Sequence, residues 1–69
     1  MSIKYKHCCI INDFDYIEVD RIYSENAGIE VVKVYAFDSN TNSDVEIHLD
    51  KKTAIRFAKS VRTEINKIQ

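Results

Sequence analysis

Four side chains in this sequence are soft enough to hold a transition metal: His7, Cys8, Cys9 and His48. Zinc takes four tetrahedral ligands drawn from Cys, His and carboxylate. Adjacent residues of a strand point to opposite faces, so Cys8 and Cys9 do not converge on one ion. A site built from His7, Cys9 and His48 lacks a fourth ligand at a metal-binding spacing, and a buried free Cys mostly behaves as a small hydrophobe. A second pattern runs from Asp38 through Asn40, Asn42 and Asp44 to Glu46, with oxygen-bearing side chains at alternate positions, as a hard cation requires. It departs from a calcium loop where geometry matters. Ser43 stands where the sharp turn needs Gly, and Leu49 stands where the bidentate Glu belongs. A polar hairpin connection has the same composition. Nucleophilic chemistry would have to come from Cys9 or Ser24 with a His, yet no strained nucleophile turn or oxyanion-hole motif accompanies them. Asp13, Asp15 and Glu18 offer an acid and a base, but an Asp-rich turn carries the same residues without chemistry. No cofactor or metal is expected, and the chain reads as non-enzymatic.

The composition supports that reading. The chain has 69 residues, one Gly, no Pro and two Cys. One Gly cannot build a glycine-rich phosphate loop, and two Cys cannot build a disulfide framework. The length fits a single domain, residues 1–69, of marginal stability. Small scaffolds compensate with disulfides, a metal or association, and association is the option left open here. No apolar run approaches the 20 or so residues of a membrane span, so no membrane partner is expected. No basic segment followed by an apolar stretch opens the chain. Residence in the cytoplasm, with reduced thiols, is the expectation. The Ile-, Lys- and Asn-rich usage suits an AT-rich source, a bacterium or a phage-infected cell.

The elements that must position any site follow from hydrophobic period. Before Asp50 the apolar residues alternate, and after it they recur every 3.6 residues. Strands are expected over 3–11, 14–23, 29–38 and 44–49. The first two are joined at Asn12-Asp13, and the next pair by a loop whose Gly28 supplies a left-handed position. The alternation slips within 14–23, which calls for a bulge or a second buried face. Short connections favour antiparallel neighbours. Asp50 is a good N-cap for a helix whose stripe is Ala54, Phe57, Ala58, Val61, Ile65 and Ile68. The fold class is α+β: a four-stranded antiparallel meander followed by one C-terminal helix on one sheet face, ββββα in two layers.

Two surfaces become candidate sites. If Asp38 faces Asp44, then Tyr35, Phe37, Lys33 and Val31 meet the helix. Val32, Val34 and Ala36, flanked by Glu46 and His48, are then left on the open face for self-association into a homodimer or higher oligomer, with an exposed strand edge as the other route. The second surface is the basic outer face of the helix. Lys52, Arg56, Lys59 and Lys67 fall within about 80° on the helical wheel, with Arg62 at the flank. Residues 1–50 carry four basic and ten acidic side chains, a balance of −6, and residues 51–69 carry six and one, a balance of +5. Such a face suits an acidic protein partner, as in a small regulator or inhibitor. Nucleic acid is the second choice, because the rest of the chain is acidic.

Overall fold

The computed structural model describes residues 3–69. Its elements are β1 (Tyr5–Cys8), β2 (Tyr16–Ser24), β3 (Ile29–Asp38), β4 (Ser43–Leu49) and α1 (Lys51–Ile65). The strands form one antiparallel sheet in the order β1-β2-β3-β4, so the expected ββββα meander is the fold. β3 and the start of α1 fall where the periodicity places them. β1 is shorter than expected, ending at Cys8, because residues 9–15 fold into a loop instead of a tight two-residue turn. There Cys9 N–H donates to Asp15 O, and Phe14 N–H donates to the Asn12 side chain. The slip in β2 is not a bulge. Tyr16 to Ser24 pair with Phe37 to Ile29 without interruption. β2 simply carries apolar residues on both faces, Ile17 and Val19 on one and Tyr16 and Ile22 on the other.

The β3–β4 register corrects the expected arrangement of faces. Asp38 pairs with Ser43, not Asp44, so each later pair moves by one residue: Ala36 with Val45, Val34 with Ile47, Val32 with Leu49. A shift of one exchanges the faces of a strand relative to its neighbour. The cause is local. The loop is four residues long, because Asn42 takes a left-handed conformation (φ 54°) and returns Ser43 to the ladder. Asp38 braces that turn by accepting from Asn40 N–H and Thr41 Oγ1. Val32, Val34 and Ala36 therefore lie on the helix side, with Val45, Ile47 and Leu49. Glu46 and His48 lie on the outer face with Tyr35 and Lys33. The five residues proposed from the sequence as one self-association face do not share a face.

The helix starts as expected: Asp50 accepts from Thr53 N–H at 2.8 Å. That bond is the main reason the Asp50 carboxyl sits below its ordinary pKa, with Lys52 and Arg56 adding smaller effects. α1 barely docks. It contains no buried residue, and its apolar stripe remains open, with Phe57 46%, Val61 42% and Ile65 56% exposed. Among the described residues Val31 is the single buried apolar side chain, at 4% exposure. By ladder parity it lies on the sheet face opposite the helix.

Candidate functional site

The two faces of the sheet differ in chemistry. The outer face, away from α1, is the better packed. Tyr16 stacks at a tilt on Phe37 and Tyr35, with ring centroids 5.6 and 6.0 Å apart, and Lys6 Nζ lies 4.2 Å from the Tyr16 centroid. Tyr35 OH donates to Asp44 at 2.8 Å. This bond to a carboxylate, with partial burial, pushes the phenol up to about 12. Asp20 and Lys33 form a nearly buried ion pair at 3.6 Å, and Asp20 Oδ1 has no hydrogen-bond partner. Glu18, Asp20, Asp44 and Glu46 all belong to this face by ladder parity.

The same face holds a chain that resembles hydrolytic machinery. Ser24 Oγ lies 3.1 Å from His48 Nδ1, and His48 Nε2 lies 2.7 Å from Glu46 Oε2. Burial argues against nucleophilic use. Ser24 is 2% exposed, so no substrate carbonyl reaches its hydroxyl. That hydroxyl also accepts from Ala27 N–H and so braces the β2–β3 turn, in which Gly28 takes φ 73°. A nucleophile must be free to attack and must have donors nearby for the developing oxyanion. The triad-like order instead ties the β2–β3 turn to β4.

The metal candidates are not brought together. His7 sits on β1 and His48 on β4, at opposite edges of the sheet and on opposite faces. Among the described residues no three His, Cys, Asp or Glu side chains cluster as a metal site. The carboxylates of 38–46 have other partners: Asp38 braces its turn, Asp44 accepts from Tyr35, and Glu46 binds His48. Asp15, in the β1–β2 loop, accepts from Ser39 Oγ and Ser39 N–H, which lowers its pKa and ties the two loops at that end of the sheet.

The helix side is the open one. A groove of about 910 Å³ runs between sheet and helix, walled by Val19, Val32 and Val34 below and by Phe57, Val61 and Ile65 above. A smaller cleft of about 590 Å³ flanks the helix start beside Arg21, Lys51 and Ile55. Ala54 and Ala58 border both; Ala54 is the one half-buried position of the helix, while Ala58 is exposed along with the larger apolar residues. This groove was missed in the sequence. The amphipathic stripe is visible there, but whether the stripe closes on the sheet depends on a helix tilt that period alone does not set.

The openness is measurable on the whole molecule. The accessible surface is 5951 Å², whereas a compact monomer of 8.0 kDa exposes about 4,500 Å². The radius of gyration is 13.5 Å, against about 11 Å for a compact chain of this length.

The basic residues Lys52, Arg56, Lys59 and Arg62 are exposed on α1, whereas the helix ends at Ile65 with Asn66 as its C-cap, so Lys67 and Ile68 of the expected basic face and apolar stripe lie beyond it. Lys67 pairs with Glu64 at 3.0 Å, while Arg62 turns to the mouth of the groove. No helix in the described residues is long and apolar enough to cross a membrane. No family model matches the sequence, and no curated protein or solved structure is significantly similar to it.

Proposed function

We propose that the chain is a small non-enzymatic binding module that works as a self-associated homodimer and engages a second macromolecule, a protein, by surface charge. The observation that supports this is the excess of about 1,500 Å² of surface over a compact monomer of this mass. Obligate homodimers hide 2,000 Å² or more between two chains, so an excess of this size per chain is of the right order. Apolar side chains contribute to it: Val45, Ile47, Phe57, Val61 and Ile65 are exposed on the helix side, and Ile10, Ile11 and Phe14 are exposed in the β1–β2 loop. The reading places the protein in the cytoplasm of a bacterium or phage-infected cell, acting as a regulator or inhibitor. Molar mass from light scattering tests it. The expected result is about 16 kDa for wild type and a lower mass for Val34→Asp, whose charge enters the groove. A wild-type particle of 8.0 kDa at all concentrations would sink the proposal.

One observation favours a second reading, nucleic-acid binding through α1. The acidic residues Glu18, Asp20, Asp44 and Glu46 lie on the sheet face away from the helix, so they do not oppose phosphates approaching Lys52, Arg56 and Lys59. Binding by several phosphate contacts falls steeply with salt. Retention of DNA or RNA at low ionic strength, lost when Arg56 and Lys59 are changed to Glu, is the result this reading requires.

A further inference from the structure

We propose that the groove between sheet and helix is filled by the α1 helix of a second copy of this chain, the two helices pairing about a two-fold axis through Phe57, Val61 and Ile65. This rests on the self-association reading and adds the interface to it. Phe57, Val61 and Ile65 are spaced by four, so they form one ridge along the helix. The commonest class of helix pairing sets such a ridge into the matching groove of another helix. All three residues are exposed, and they line the open groove together with Ala54 and Ala58. The helix thus leaves its apolar stripe uncovered along the groove, with no residue buried against its own sheet.

The area argument selects the occupant. A two-fold interface uses the same patch on both chains, so the patch must complement itself. An exposed apolar helical ridge beside an apolar sheet wall does so, because each chain offers one helix and one open wall. The excess surface, about 1,500 Å² per chain over the whole molecule, sets an upper bound of about 3,000 Å² between two chains, which leaves room for the roughly 2,000 Å² or more of an obligate homodimer. Charge permits the same arrangement. Lys52, Arg56 and Lys59 lie on the back of the helix, away from the ridge, so pairing does not bring the two basic faces together.

The experiment is a cysteine scan of the full chain in a Cys8→Ser, Cys9→Ser background. Phe57→Cys, Val61→Cys and Ile65→Cys are compared with Lys59→Cys, on the opposite side of the helix, under mild oxidation. A disulfide needs Cα atoms within about 7 Å, so a residue beside the axis joins its own copy. The expected result is a covalent dimer from at least one ridge variant and none from Lys59→Cys. Circular dichroism confirms that each variant is folded, and light scattering on the uncrosslinked background reports the oligomer directly. A dimer by mass with no cross-link from any ridge position overturns this interface and leaves self-association standing. A folded monomer overturns both readings. A pairing through the exposed edge of β4, or a different protein in the groove, falls under these two outcomes respectively.

Discussion

The ion pair between Asp20 and Lys33 is the residue on which the sheet has most to lose. Both side chains are nearly buried, and the 3.6 Å separation leaves Asp20 Oδ1 with no hydrogen bond. Removing one partner strands a charge in a place water hardly reaches. Lys33→Met is expected to cost about 3 kcal/mol, while Asp20→Asn combined with Lys33→Met recovers most of it. Denaturant unfolding of the two variants checks this, and equal losses in both would refute it. Tyr35 gives a prediction at alkaline pH. Its phenol is pushed up to about 12 from an ordinary 10, chiefly by donating to Asp44. A raised folded-state pKa means that the folded form holds the proton more tightly. The contribution is full below pH 10 and is lost as the pH rises toward 12. Ultraviolet titration of Asp44→Asn should show one tyrosine ionising closer to the ordinary value than in wild type. Little of this was legible in the sequence. Asp20 and Lys33 sit thirteen positions apart, and only the pairing of β2 with β3 makes them neighbours.

At the scale of elements, the turns decided what could be read. The stripe and Asp50 together located α1, because a capping side chain and a 3.6-residue period are both local signals. The β3–β4 register was not legible, since it depended on one residue. Asn42 at φ 54° shortens the loop to four residues, and that alone moved Val32, Val34 and Ala36 from the open face to the helix side. Asn42→Gly should keep the hairpin at nearly unchanged stability. Asn42→Val should destabilise it, because a β-branched residue tolerates positive φ poorly. The N-cap gives the acid counterpart to Tyr35. The Asp50 carboxyl is held low by Thr53 N–H, and that of Asp15 is held low by Ser39. Both contributions are present above the ordinary carboxylate range and fade as the pH falls through the depressed folded values. Asp50→Ala should therefore lower the melting temperature by roughly 5 °C at neutral pH, and the gap should close in acid. A gap independent of pH would refute the cap as its source.

For the whole molecule, the balance of −6 and +5 becomes a spatial division, although the two halves of the sequence do not map simply onto two layers. Glu18, Asp20, Asp44 and Glu46 lie on the outer sheet face, Lys52, Arg56 and Lys59 lie on the back of α1, and the open apolar groove lies between. The buried residues Val31, Ser24 and Asp20 all belong to the outer face, so the layer that ought to be the core is the incomplete one. A fold of this kind should gain its stability from a second chain, and mass action then makes that stability depend on protein concentration. The melting temperature of wild type should rise measurably over a hundredfold increase in concentration. That of Val61→Asp, altered on the exposed ridge, should be lower and nearly flat. Salt distinguishes the source of the association. Pairing through Phe57, Val61 and Ile65 is apolar and should survive high ionic strength, whereas contact between the basic helix back and the acidic sheet face would be screened. Sedimentation across a salt series reads the difference: a dimer that dissociates as salt rises would transfer the interface from the groove to the charged faces.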